Sequence, residues 1–342
     1  MYFHTFGCKV NQYETQLLRE QICSDGNYQP VNNIALADIA IINSCTVTHN
    51  ADADTRQIVR RIIRVNPKCR IIVTGCYAVR SKEDILKISS LVEVYPEKEK
   101  IPCHLGLNNE NQQTITYFAG HSRAFVKIQD GCDAFCSYCI VPYVRPKLWS
   151  KPLNAVLEEV NCLVENGYKE IVLCGIRLGK YNSNDTKNLP ELVEKLLKLR
   201  NDFKISFSSL EVQEITDDLI NIVASTNRIV RHFHIPLQSG DNEILRKMNR
   251  PYTAEEFQQK VDYIRRKLEN VSLSTDVMVG FPGETEKHFI NTYDFIKKNK
   301  FEKLHVFRFS PRIGTKAENF VPCINPDEIK KRAKLLLKFN RC

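Results

Sequence analysis

The sequence predicts an α/β protein, with an N-terminal parallel α/β sheet domain followed by a partial (βα)6 barrel. Two observations carry that class. Short β-branched runs alternate with amphipathic helical stretches along nearly the whole chain, the pattern of parallel strands joined by crossover helices. The last ~220 residues hold six strand–helix units, too few to close an eight-fold barrel. The length of 342 residues suits two domains of ordinary size.

The elements follow in order. Tyr2–Phe6 reads as a strand, then Gly7-Cys8, then a helix from Tyr13 to about Cys23 with Asn11 as its cap. Ile39–Ile42 is a strand running into Asn43-Ser44-Cys45. A helix from about Asp52 to Val65 is stopped by Pro67. Arg70–Val73 is a third strand, running into Thr74-Gly75-Cys76. Ser81 with Asp84 three residues later marks a helix start. In such a sheet the carboxyl ends of all strands lie along one edge, where ligands bind. Cys8, Cys45 and Cys76 each stand just past a strand, so they converge although 37 and 31 residues separate them. Cys23, Cys69 and Cys103 read as buried bystanders.

Pro96, Pro102 and the polar stretch from Asn108 mark a connection. The domains are therefore 1–107 and 118–342, with a linker over 108–117. The barrel strands fall at 124–129, 171–174, 204–208, 232–237, 272–278 and 304–309. Helices lie near 152–166, 189–200, 216–226, 254–269, 285–299 and 326–340. Directly after the first barrel strand comes Gly131-Cys132-Asp-Ala-Phe-Cys136-Ser-Tyr-Cys139. Three thiolates at C-x3-C-x2-C spacing hold three irons of a [4Fe–4S] cluster and leave the fourth iron open. Zinc would need a remote fourth ligand.

The charge and cysteine content point the same way. Thirteen cysteines are an odd number in a long chain, which favours metal or redox work over disulfide stapling. Residues 1–117 hold 13 basic against 12 acidic residues and residues 118–342 hold 36 against 28, so the positive field belongs to the barrel and suits a polyanion. No apolar run approaches the ~20 residues of a membrane-spanning helix. Met1-Tyr-Phe-His-Thr5 lacks the basic and apolar segments of a secretory signal. The expectation is a cytoplasmic protein without membrane contact.

The cysteine loop resembles the radical S-adenosylmethionine superfamily, whose core is a partial (βα)6 barrel. Further segments resemble its methylthiotransferase family: Thr5-Phe-Gly-Cys-Lys-Val-Asn-Gln-Tyr-Glu-Thr15, Ile42-Asn-Ser-Cys-Thr46, Val73-Thr-Gly-Cys-Tyr77, His232-Phe-His-Ile-Pro-Leu-Gln-Ser-Gly240, Lys247-Met-Asn-Arg-Pro-Tyr-Thr253, Thr275-Asp-Val-Met-Val-Gly-Phe-Pro-Gly-Glu-Thr285 and Ser310-Pro-Arg312. They span nearly the whole chain in order. The segment around Cys8 is most similar to the branch acting on N6-threonylcarbamoyladenosine in tRNA. The family usually continues into a small C-terminal β-barrel RNA-binding domain, which this sequence does not include.

The resemblance implies two [4Fe–4S] clusters, one on Cys132, Cys136 and Cys139 and one on Cys8, Cys45 and Cys76. It implies S-adenosylmethionine as methyl donor and radical source, and methylthiolation of C2 of the modified adenine at position 37 in the anticodon loop. It also implies an electron donor such as flavodoxin or ferredoxin, and a sulfur source. Tyr138, Gly175, Ser209, Glu211, Gln238 and Asp276 then become cofactor contacts. His232 and His234 alternate on one strand and suit packing or hydrogen bonding better than metal. Lys9, Asn11, Arg145, Lys147 and Arg177 become candidates for RNA phosphate or for the threonylcarbamoyl carboxylate, which Arg binds bidentately. The rivals are the same chemistry on isopentenyladenosine in tRNA or on a ribosomal-protein aspartate, and a non-catalytic iron–sulfur or zinc RNA-binding protein.

Overall fold

A computed structural model describes residues 1–24, 26–107, 113–199 and 202–341. Residues 108–112 of the expected linker lie outside the described residues. Strands β1 (Tyr2–Thr5), β2 (Ile39–Ser44), β3 (Arg70–Gly75) and β4 (Val92–Val94) form one parallel sheet in that order. β2 is buried at every position, because helices cover both sheet faces. Its alternation decides which helix each residue meets. Ile39 and Ile41 pack with Leu18 and Ile22 of α1 (Lys9–Cys23). Ala40 and Ile42 pack with Ile58, Val59 and Ile62 of α2 (His49–Val65). β4 escaped the sequence reading because three residues are too few to show a period.

α1 begins four residues before its expected start, with Cys8 at the N-cap and no side-chain cap. Asn11 is therefore not the cap. It lies inside the helix, and its amide donates to Phe6 O (2.8 Å) and Ser44 O (3.1 Å). Two strand-end carbonyls thus claim the side chain, a tertiary demand that local pattern cannot reveal. A short helix, α3 (Cys76–Arg80), starts at once after β3.

The second domain has six parallel strands: β5 (Ala124–Asp130), β7 (Glu170–Gly175), β8 (Lys204–Phe207), β9 (His232–His234), β10 (Ser272–Val279) and β11 (Lys303–Arg308). A two-residue strand, β6 (Trp149–Ser150), pairs antiparallel with β5. They form two sheets, β6-β5-β7-β8 and β11-β10-β9. Ile205 N–H bonds Arg228 O and Val230 N–H bonds Ile205 O, both at 2.8 Å, which carries the pairing from one sheet toward the other. The strand expected over 232–237 ends at His234, since Pro236 has no N–H to donate and Gln238 turns to φ 67°.

Helices α4 (Leu153–Glu165), α5 (Leu189–Leu197), α6 (Asp217–Ser225), α7 (Ala254–Lys267), α8 (Glu286–Asn299) and α9 (Pro326–Leu337) follow the strands in turn. α7 is opened by a complete Thr253–Glu256 capping box. Their apolar faces share one core, and Val10 and Tyr13 of α1 are part of it. α1 therefore belongs to both domains' interiors. Of the three bystander cysteines Cys69 is buried, Cys23 half-buried and Cys103 exposed. Cys103 lies on a short helix, Ile101–His104, at the surface.

Candidate functional site

Three cysteines follow a glycine in the left-handed region: Gly7, Gly75 and Gly131 have φ of 98°, 90° and 81°. A Cβ at Gly131 would stand 2.2 Å from Lys147 O, and one at Gly75 would stand 2.4 Å from Ser44 O. Only glycine turns the chain this tightly at the strand end, so that the next residue is handed to the cleft. At Gly7 a Cβ would sit 3.1 Å from the Cys45 sulfur, so this glycine also clears space for a neighbouring thiol.

Cys8 caps α1, Cys45 follows β2 and Cys76 opens α3. Their thiols sense one another. Burial pushes Cys45 up to about 11, with Cys76 and Cys8 adding to the rise. Desolvation also raises Cys8, and Cys76 again adds to the rise.

The second triplet lies on the loop after β5. Cys132 N–H bonds Arg145 O (3.2 Å), Cys139 N–H bonds Cys136 O (2.9 Å), and Ser137 N–H bonds Met248 O (3.0 Å). Burial lifts the Cys139 thiol to about 12, with Cys136 and Cys132 contributing.

These donors fit a cluster better than a single ion. Tetrahedral Zn–S bonds of ~2.3 Å put sulfurs ~3.8 Å apart. Among the described residues the group of three that gathers its ligand atoms within 4.8 Å is His234, Asp276 and His305. Each cysteine triplet supplies three thiols, which suits three corners of a four-iron cube, whereas a structural zinc takes four ligands.

Two arginines attend the sulfurs. Arg145 Nε donates to Cys76 Sγ (3.3 Å), and Arg250 Nη1 donates to Cys136 Sγ (3.4 Å). Each is anchored by carboxylate. Arg145 bonds Glu14 through both terminal nitrogens (2.9 Å each) and Asp130 (2.9 Å), and Asn11 Oδ1 accepts from it at 2.8 Å. Arg250 pairs with Glu211. Glu14 also holds Lys98 (2.6 Å) and Lys127 (2.7 Å), and this cation shell keeps its carboxyl well below the usual range despite burial. A cavity of about 530 Å³ opens beside Cys76, and its lining mixes Lys98, Lys127, Arg145 and Lys147 with Glu14, Glu97, Glu99 and Asp130.

The expected cofactor contacts separate. Tyr138 packs on the apolar cluster of Met248, Met278 and Phe281. Ser209 is exposed, and Glu211 is half-buried against Arg250. Gln238 bridges to β10 through its N–H to Asp276 O (2.8 Å). Gly175 is explained from within, since a Cβ there would stand 2.9 Å from Gln129 Cβ and 3.1 Å from Leu178 Cα. Asp276 accepts from His234 Nε2 (3.0 Å) and pairs with His305 Nδ1 (3.1 Å), while Ser274 Oγ meets His234 Nδ1 (2.8 Å).

The expected substrate contacts separate too. Lys9 and Lys147 are exposed and make no ion pair among the described residues. Arg177 is tied to Glu214 (2.6 Å) and Asp133 (3.0 Å). Asn11 and Arg145 are 1 % and 8 % exposed and spend their side chains on internal bonds, so they do not face a phosphate.

Sequence reading missed Glu14, Asp130, Arg250 and the buried Asp52–Arg312 pair. Arg312 Nη2 bonds Thr46 Oγ1 (2.8 Å) and Asp52 (2.5 Å), next to Cys45, and its Nε and Nη1 are buried without a partner among the described residues. The signal was a charge inside a quoted motif, as in Lys247-Met-Asn-Arg250 and Ser310-Pro-Arg312.

Two family models match the chain. The Radical SAM superfamily covers residues 126–296, and Uncharacterized protein family UPF0004 covers residues 1–95. The threonylcarbamoyladenosine tRNA methylthiotransferase MtaB of Bacillus subtilis (strain 168) is 40 % identical over 92 % of this chain and 74 % of its own length. Its Aquifex aeolicus counterpart is 35 % identical over 98 % and 86 %. The tRNA-2-methylthio-N(6)-dimethylallyladenosine synthase of Thermodesulfovibrio yellowstonii is 31 % identical over 93 % and 77 %. Among solved structures, the radical S-adenosylmethionine methyltransferase TsrM from Kitasatospora setae shares the fold. Its TM-score is 0.63 at 13 % identity, over 93 % of this chain and 76 % of that one.

Proposed function

Because this chain belongs to the radical S-adenosylmethionine methylthiotransferase family, we propose that it adds a methylthio group to C2 of N6-threonylcarbamoyladenosine at position 37 of tRNA. It is a tRNA methylthiotransferase of that family. The observation that carries the reading is the pair of cysteine triplets at strand ends of two domains, joined through Arg145.

The radical domain implies a [4Fe–4S] cluster and S-adenosylmethionine. When bound they supply the electron, the methyl group and the radical. Cys132, Cys136 and Cys139 hold the cluster in that domain, and Cys8, Cys45 and Cys76 hold a second one. Glu211, steered by Arg250, takes the cofactor's amino group. Tyr138 would lie beside the adenine, and Ser209, Gln238 and Asp276 with its two imidazoles would offer the cofactor polar contacts. Gly175 lets β7 pass close to Gln129. Lys9 and Lys147 offer the uncommitted charge for RNA phosphate or the threonylcarbamoyl carboxylate. Asn11 and Arg177 hold the loops that carry these groups. The segment Gly7–Thr15 and the 40 % and 35 % relatives support threonylcarbamoyladenosine over the dimethylallyl substrate of the 31 % relative. A reductant such as flavodoxin or ferredoxin and a sulfur source complete the reaction.

Nucleosides hydrolysed from tRNA of a deletion strain test the substrate. Loss of the 2-methylthio mark on threonylcarbamoyladenosine is expected, and an unchanged profile rejects it. In vitro, Cys136→Ala abolishes S-adenosylmethionine cleavage, while Cys45→Ala keeps cleavage and loses thiomethylation. A Cys45→Ala enzyme that still thiomethylates tRNA defeats the division between triplets.

A further inference from the structure

Arg145 reaches both triplets at once. Its carbonyl accepts the Cys132 N–H at 3.2 Å, while its Nε donates to Cys76 Sγ at 3.3 Å. One residue therefore joins the loop of the barrel triplet to a sulfur of the N-terminal triplet. Its orientation is fixed from two domains. Glu14 and Asn11 on α1 take both terminal nitrogens from the N-terminal side, and Asp130 at the end of β5 takes one from the barrel side. Lys127, bonded to Glu14 and Asp130 at 2.7 Å each, locks those carboxylates in turn. Arg145 is 8 % exposed, so its field is screened less than that of a surface charge.

Such an arrangement is over-built for packing. A planar guanidinium with its two terminal nitrogens fully spent on carboxylates and an amide has one direction left for Nε, and that direction holds a thiol. Hydrogen bonds to sulfur and nearby positive charge stabilise the more negative, reduced form of an iron–sulfur cluster and so raise its potential. Arg250 repeats the motif on Cys136 with a single carboxylate, Glu211. Arg250, however, comes from the barrel and serves the barrel triplet, so it links nothing across the domains.

We propose that Arg145 is a positioning residue that ties the two triplets together and raises the reduction potential of the cluster held by Cys8, Cys45 and Cys76. This rests on the two-cluster reading. Its loss lowers that potential through the missing N–H···S bond and the missing charge. Arg145→Lys keeps the charge and loses the planar fork, so it falls between wild type and Arg145→Gln.

The test uses the full chain, anaerobically reconstituted. Iron and sulfide are counted first, and about eight of each per chain are expected for two clusters. The N-terminal cluster is then titrated potentiometrically by EPR, with Cys132, Cys136 and Cys139 replaced by alanine so that its signal stands alone. At a fixed potential the reduced-to-oxidised ratio should fall about tenfold in Arg145→Gln, which is 59 mV for a one-electron couple, and by less in Arg145→Lys. Unchanged midpoints in both variants overturn the role of Arg145 and leave the two clusters standing. About four irons in the wild type overturn the two-cluster reading, and this inference with it. If Arg145→Gln does not hold iron, Arg145→Lys alone decides: a lowered midpoint supports the proposal and a wild-type midpoint refutes it.

Discussion

Lys151→Met tests how the domains are held together. Lys151 and Glu159 are 1 % exposed and form an ion pair at 2.6 Å, with Tyr13 of α1 bonded to both at 2.7 Å. Burial pushes the lysine down and the carboxyl up, in each case against the attraction of the partner. The pair therefore stabilises the fold little as a pair, but each charge needs the other. With methionine at 151, Glu159 keeps two neutral donors, Tyr13 Oη and Ile115 N–H (2.8 Å). Its remaining escape is to bind a proton. Holding it neutral costs about 1.4 kcal/mol for each pH unit above the free value of ~4.3. The deficit is thus about 2 kcal/mol at pH 5.5 and about 4 kcal/mol at pH 7.5. The sign follows from linkage. A carboxyl whose folded pKa lies above its unfolded value loses stability as pH rises through that window. Lys151→Met should therefore approach wild type in acid and fall away from it in base. Anaerobic urea melts of the metal-loaded chain at the two pH values measure this. The double variant with Glu159→Gln should recover most of the loss and flatten the pH dependence. A deficit of equal size at both pH values, or a double variant as weak as the single one, refutes the reasoning.

Gly131→Ala forces a side chain into the left-handed region against Lys147 O. Reconstituted iron should drop from about eight to about four per chain, with no drop counting against the tight turn. Arg312→Gln removes one of the two arginines that hold the buried Asp52 and should cost about 1.5–3 kcal/mol in a urea melt, the scale of one buried hydrogen bond to a charged group. Adding Asp52→Asn should rescue less than in the Lys151 pair, because Arg80 shares Asp52 at 3.0 Å and then loses its partner. Glu211→Gln should keep its iron and weaken S-adenosylmethionine at least ~10-fold in equilibrium dialysis, the scale of one charge-assisted hydrogen bond. An unchanged Kd removes Glu211 from the cofactor pocket.

The strand–helix alternation, the six parallel barrel strands and the place of Cys8, Cys45 and Cys76 just past strand ends were legible because each depends on local spacing. Strand period 2 and helix period 3.6 need only a few neighbours, and a cysteine after a strand end declares its place through topology. Asn11 shows where such reading stops. As a polar residue ahead of a helical pattern it looks like a cap, yet the carbonyls that claim it belong to Phe6 and to Ser44, the latter 33 residues away. Arg145 shows the same limit from the other side. A basic residue on a ligand loop looks like an anion binder, and only the folded chain brings Glu14, Asp130 and a sulfur to it. A motif can flag a charge such as Arg312, but neither segment says which charge neutralises it across the domains, so the pairing with Asp52 went unread.

The salt links across the seam bear on how such proteins can be rebuilt. Glu14, Asp52, Arg145 and Arg312 each depend on a counterpart contributed by the opposite half. A chimera that grafts the first half of one relative on to the second half of another would bury naked charge unless these four positions were carried over as a matched set. Drift at the seam should therefore proceed by paired exchange, and two halves produced as separate polypeptides should recombine only with partners that keep the same code.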